Sequence, residues 1–311
     1  MSARTPSIFS PYCRTFFPSV FTTLAFALGL FLSETVIGSA RASEPDQSLR
    51  YVFSGYAGGL HVATVTLDYV RDSEHYRTRM DLQTEGMLAW FLDGTLSAAA
   101  KGELGIDTAT PFRYRTVDMF NDDRNELELD YGRDPLRSES PGLPVRTDPD
   151  GVRDQKAGVP EKIKPEDRVG TTDPITALAV LNGLALDPMG EQRANSEEPP
   201  ACGGRSQIYD GKRRYDLELA TATRKTLSKS RFNLHEGAAW NCAFVLRRVG
   251  GFRKKDEVYD DHLQSGSVWF ARPRPDLPIS IVRIDTDSAL DAVRIHLQAV
   301  ETGAREITLP E

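Results

Sequence analysis

The stretch ATVTLDYVRDSEHYRTRMDLQ, residues 63–83, decides the fold. Ala63, Val65, Leu67 and Tyr69 alternate with polar Thr64, Thr66 and Asp68. After a short polar break the period resumes, with Tyr76, Thr78, Met80 and Leu82 on one face and His75, Arg77, Arg79, Asp81 and Gln83 on the other. A period of two belongs to a strand that has one face in a core and the other in water. Gly58-Gly59 supplies a turn before the first run, so the region predicts an opening antiparallel meander.

Outward from that stretch the same signal predicts strands at 95–104, 112–117 and 126–131, where Leu127, Leu129 and Tyr131 oppose Glu126, Glu128 and Asp130. Further on, strands at 206–209 and 215–219 flank Asp210-Gly211, a hairpin signal because positive φ costs little at that pair. Strands are also expected at 240–249, 267–271, 279–284, 292–298 and 306–309. One helix is expected over 173–186. Asp173 suits its N-cap, Pro174 its first position, and Ile175, Leu178 and Leu181 form its apolar stripe, with Pro188 beyond its end. Such a stripe must be buried against the sheet. The fold class is therefore mainly β, a large antiparallel sheet rolled into a partly open barrel around one α-helix.

The start of the chain has another character. Arg4 and Arg14 precede an apolar run over 20–32, and Ala40-Arg41-Ala42 follows, which is the three-part build of a cleaved secretory signal over 1–42. The run is shorter than the roughly 20 residues a membrane helix needs, so no stable transmembrane anchor is expected after cleavage. What remains, 43–311, is expected to be a single β-rich periplasmic domain with irregular insertions near 134–172 and 187–204. Cys13 leaves with the signal, and in an oxidising compartment the remaining pair, Cys202 and Cys242, is expected to form a disulfide.

The chain carries a net charge of −7, and loss of the signal makes it −9. That balance disfavours nucleic acid, whose phosphates call for a basic surface. It also disfavours bulk attraction to anionic lipid, Lys212-Arg213-Arg214 being a local exception.

No catalytic residue, metal ligand or cofactor is predicted. The five histidines, His61, His75, His235, His262 and His296, never fall at His-x-His or His-x3-His spacing. The acids Asp256, Glu257, Asp260 and Asp261 lack the glycine and spacing of a calcium loop. Asp122-Asp123 are adjacent, so they do not converge as an acid/base pair must. No nucleophile elbow is present, and Ser265-Gly266-Ser267 reads as a turn. The one stretch with binding character is Gly86-Met87-Leu88-Ala89-Trp90-Phe91-Leu92, densely apolar without clean alternation. Met87, Leu88, Trp90 and Phe91 are the candidate ligand-binding residues, set against the plainer reading that they fill the core or close one end of the roll.

Taken together, the strand pair 51–69, the Trp90 segment followed by Gly102 and Pro111-Phe112-Arg113-Tyr114, the helix start Asp173-Pro174-Ile175-Thr176-Ala177-Leu178, and Asp210-Gly211-Lys212-Arg213-Arg214-Tyr215-Asp216-Leu217 resemble the exported bacterial proteins grouped as domain of unknown function 3108. That resemblance implies a periplasmic, mostly antiparallel β fold and transfers no catalytic residue or ligand. The expected function is a non-enzymatic envelope protein binding a hydrophobic ligand, a lipid or an envelope protein in the groove of the roll. A structural scaffold for envelope integrity is the alternative, and an uncharacterised hydrolase a third.

Overall fold

The computed structural model describes residues 47–89, 93–105, 108–120, 123–131, 145–147, 163–183, 202–252, 265–288 and 291–310, all within the unit Glu44–Glu311. Six long strands come first: β1 (Gln47–Ala57), β2 (Leu60–Arg71), β3 (His75–Thr84), β4 (Gly94–Gly105), β5 (Thr108–Phe120) and β6 (Asp123–Asp130), with a helical turn α1 (Gly86–Ala89) between β3 and β4. A short β7 (Val145–Thr147), the turn α2 (Pro165–Arg168) and helix α3 (Pro174–Leu181) follow. The second half comprises β8 (Arg205–Tyr209), β9 (Arg214–Leu219), β10 (Thr223–Leu227), β11 (Gly237–Gly250), β12 (Ser265–Ala271), β13 (Ser280–Ser288) and β14 (Asp291–Thr302).

These strands form a single sheet in the order β7-β6-β5-β4-β3-β2-β1-β14-β13-β12-β11-β9-β8, antiparallel throughout, with β10 also paired to β11. The chain builds outward from β1, crosses through α3, then returns from the far edge until β14 lies beside β1. Bulges at Val52/Phe53, Lys101/Gly102 and Trp269/Phe270 raise the local twist and help the sheet to coil.

The roll closes by packing rather than by a continuous ladder. Gly211, with φ 91°, lies so close to Leu127 of β6 that a Cβ there would meet its side chain at 2.5 Å. Glycine at this tip therefore lets the β8–β9 hairpin touch the opposite half of the sheet. Helix α3 packs on β3, β4 and β5 from one half and on β8 from the other. Just before it, Thr172 makes a parallel bridge to Ile208. The result is the partly open barrel around one helix that the alternation predicts.

Several expectations need correction. The helix stops at Leu181, well short of 186, because the Asn182 side chain turns inward: its Nδ2 donates to Leu178 O, and its Oδ1 accepts from Ile281 N. The segment 306–309 forms no strand; it lies over the sheet as a tail, with Arg79 donating to Thr308 O and Ile307 buried. The insertion near 134–172 is not wholly irregular, since it contains β7 and α2. Strand β10 carries no alternation that would reveal it, because four of its five residues are exposed.

Cys202 and Cys242 are joined by a disulfide with Cα atoms 6.0 Å apart, tying the entry to β8 onto the middle of β11.

Candidate functional site

The face each residue takes follows from register. One inward row runs Leu49–Tyr69–Thr78–Ala100–Tyr114–Leu129, and the next Tyr51–Leu67–Met80–Ala98–Thr116–Leu127. The first row is sealed, and Tyr51 and Leu67 of the second are wholly buried. The third row, Phe53–Val65–Leu82–Leu96, is different: Phe53 is buried, but Val65, Leu82 and Leu96 are only half-buried. On the neighbouring β14, Leu297 opposite Phe53 is fully buried, while Ile295 opposite Gly55 and its partner Ile284 are half-buried.

Helix α3 explains the sealed end. Asp173 caps it, its Oδ1 accepting from the backbone N–H groups of Ile175 and Thr176 and its Oδ2 from Thr176 Oγ1 at 2.6 Å. Thr176 Oγ1 also bonds Tyr76 OH at 2.7 Å. Ile175 and Ala179 enter the core, and Asn182 fastens the far end of the helix to β13. Burial pushes the Asp173 carboxyl up to about 6 against these hydrogen bonds. Burial, then the Asp173 charge, also hold the phenols of Tyr76, Tyr114 and Tyr131 well above their ordinary value. The acceptor sites of Asp173 serve the helix cap, so the carboxyl has the geometry of a structural group rather than of a base facing a substrate.

Beyond the third row, the next inward row is small on β1 to β4, with Gly55, Ala63, Thr84 and Gly94, and it continues into Phe120 on β5 and Ile295 on β14. Thr84 Oγ1 accepts from Gly94 N and donates to Gly94 O, locking β4 at its start. A Cβ at Gly94 would overlap the Phe120 ring at 2.1 Å, so glycine lets that ring lie against the start of β4. Val65, Leu82, Leu96, Ile284 and Ile295 are thus inward apolar side chains that are only half-buried, and the row beside Val65 and Leu82 is small. Concave, mostly apolar surfaces of this kind are where ligands with little polarity bind.

The outward face has the opposite character. Arg50 pairs with Asp68, Arg79 with Asp81, Arg113 with Glu128, and Arg247 with Glu218. Arg205 and Arg214 both engage Asp216. A barrel with ion pairs outside and tyrosine and leucine inside reverses the pattern of a membrane-spanning barrel, whose outer band is apolar. Among the described residues no helix is long and apolar enough to cross a membrane.

Of the candidate ligand-binding residues, Met87 and Leu88 belong to α1, which lies between β3 and β4 and is fixed to β2 by Glu85 N donating to Val62 O. Trp90 and Phe91 lie outside the described residues. Sequence reasoning thus named this connection but missed the half-buried row, because Val65, Leu82 and Leu96 alternate no differently from their buried neighbours. The histidines stay apart in role: His75 sits beside Asp72 at an exposed turn, His235 contacts Ala238 O, and His61 approaches Glu85 at 3.4 Å. His262 and the acids Asp256, Glu257, Asp260 and Asp261 lie outside the described residues. No cluster of three metal-ligating groups occurs among the described residues.

No family model matches the chain, and no curated protein matches it. The resemblance to domain of unknown function 3108 therefore stands on its motifs alone. Among solved structures the chain is similar to a β-barrel-like protein of domain of unknown function 1849 from Brucella abortus. Identity there is 11%, 84% of this chain and 98% of that one are covered, and the TM-score is 0.39. It is also similar to a protein inferred to be a lipoprotein from Parabacteroides distasonis ATCC 8503, at 11% identity, 82% and 95% coverage and a TM-score of 0.23. Likeness of that size leaves the function to be argued from the geometry.

Proposed function

We propose that this chain is an exported envelope protein that holds the acyl chain of a lipid in the unplugged end of its roll, without catalysing a reaction. The observation that carries this reading is the half-burial of Val65, Leu82, Leu96, Ile284 and Ile295 on an inward face whose other end α3 has sealed. The signal-like start and the Cys202–Cys242 bond support an oxidising compartment. Energetics are compatible with a useful affinity. Each buried methylene contributes about 0.8 kcal/mol, so roughly eight would give about 6 kcal/mol gross, reduced by the cost of ordering the chain. Micromolar binding, at about −8 kcal/mol, would therefore need a longer chain or headgroup contacts as well.

The test is a titration of delipidated protein with an environment-sensitive fluorescent fatty acid. Saturable uptake is expected, weakened at least tenfold by Leu82→Gln with Leu96→Gln. Absence of uptake by the folded wild-type protein, or uptake unchanged in the double variant, would sink the reading.

A further inference from the structure

We propose that the outer face around β10 and the loop that follows it is a docking surface for an anionic phospholipid bilayer. This deepens the acyl-chain reading and rests on it for its purpose, but it uses none of the same residues. From Ala220 to His235 the sequence contains Arg224, Lys225, Lys229 and Arg231 and no acid, within a chain of net charge −7. Bulk charge does not decide such contact, because charges beyond about 8 Å are largely screened at physiological salt. What counts is the local face.

Register places that face. Asn241, Trp269, Arg283 and His296 are successive cross-strand neighbours on the outward side of β11 to β14. Lys225 Nζ reaches Asn241 Oδ1 at 2.6 Å and lies 5.6 Å from the Trp269 ring, while Arg283 lies 5.7 Å from the same ring. The loop continues the series: Phe232 packs on Tyr56 at 4.5 Å and on His296 at 6.0 Å, and Arg231 stands 4.7 Å over Phe232. Gln298 Nε2 donating to Phe232 O and Leu234 N donating to Leu297 O fasten the loop to β14. Burial, then Arg283, push His296 down to about 4, so its ring is neutral and serves as packing.

The Trp269 and Phe232 rings thus hold Lys225 and Arg231 in place before any partner arrives, which lowers the ordering cost of binding, while Arg283 is paired with Asp285, which also accepts from Trp269 Nε1. Lys229 is exposed beside them, and Leu234, 46% exposed, supplies an apolar side chain at the same loop. Cations around an exposed leucine match a surface of lipid phosphates over acyl chains. Lys212-Arg213-Arg214 does not compete for this role, since Arg214 is buried against Asp216.

The experiment is flotation of the full-length mature protein with phosphatidylcholine vesicles and with vesicles also containing phosphatidylglycerol, at low and high salt. Binding is expected only to the anionic vesicles and is expected to fall as salt rises. Each cation removed should weaken it about fivefold, so Lys225→Ala, Lys229→Ala and Arg231→Ala together should weaken it about 100-fold. Leu234→Ser should weaken it several-fold with the salt dependence unchanged. Equal binding to both vesicle types, no binding to either, or a triple variant that binds as the wild type does would overturn the proposal. The fluorescent fatty acid titration on the same samples separates the two readings. Uptake without vesicle binding defeats the docking surface alone, whereas salt-sensitive vesicle binding without uptake defeats the groove alone.

Discussion

At the α3 end of the roll Leu67 and Leu129 are fully buried, whereas two residues along β2 from Leu67, on the same inward face, Val65 is only half-buried, as is Ile295 on β14. The strands, the alternation and the residue types are shared. What differs is the neighbour: one end receives Ile175, Ala179 and the buried Asp173–Thr176–Tyr76 bonds of α3, and the other has the small Gly55, Ala63 and Gly94 beside it. A rolled sheet of this width encloses more volume than its own side chains fill, so each end needs a plug or stays open. Among the described residues, α3 plugs one.

The strongest test of that contrast removes the tie on the wall that faces the plug. Replacing Cys202 and Cys242 with serine frees a loop of 40 residues, which should cost about 4 kcal/mol of stability in the chain-entropy account. Denaturant titration of the oxidised protein and the double variant would show it. A loss below about 1 kcal/mol would mean that packing by α3 alone holds the second half of the sheet in place.

The plugged end should then answer to truncation much as a close-packed core does. Leu67→Ala is expected to cost about 3 kcal/mol, within the range for leucine truncation in cores, while Leu82→Ala costs below about 1 kcal/mol because water already reaches the site. Equal losses in chemical denaturation would erase the difference between the ends.

How far the sequence announced this contrast can be judged residue by residue. Alternation in 63–83 identified the inward side of β2 and β3 because period two is a direct consequence of the pleat. It says nothing about depth along the strand, so Val65 and Leu67 look alike until the helix is placed. Helix α3 ends at Asn182-Gly183, a stop signal that the expectation of a helix over 173–186 passes over in favour of Pro188. The tail at 306–309 alternates because one side rests on the sheet, and alternation reports a face rather than a hydrogen-bonded ladder. Strand β10 was hidden for the converse reason: it has a ladder but hardly any buried face.

The pH response distinguishes the ends as well. The Asp173 carboxyl, raised to about 6 by burial, binds its proton more tightly in the folded state than in the unfolded chain. Folding should therefore strengthen as pH falls from above 6 towards 4, by up to about 3 kcal/mol for a shift of roughly two units. Asp216 acts oppositely: burial raises it, but Arg205 and Arg214 outweigh burial and hold it low, so its contribution is lost only as pH falls below about 4. Asp173→Asn keeps a competent helix cap and should flatten the profile between pH 4 and 7. Thermal melts across that range showing the same slope in both proteins would remove Asp173 as its source.

The smallest expected change in stability belongs to the open rim, where it is also the most informative. Ala63 faces inward beside Gly55, half-buried, with no large side chain paired to it. Ala63→Phe places a ring over Val65 and Leu82 without displacing any group that α3 needs, so the melting temperature should move by only a few degrees, a shift worth about 1 kcal/mol. If the rim is a ligand entrance, the same ring should abolish fatty acid uptake. If the half-exposed floor is only an unfilled corner of the core, the ring should pack into it and raise stability by burying the apolar surface that water now reaches. Loss of uptake with little change in melting temperature marks an entrance, whereas a raised melting temperature in a protein whose wild type takes up no fatty acid marks an unfilled corner of the core.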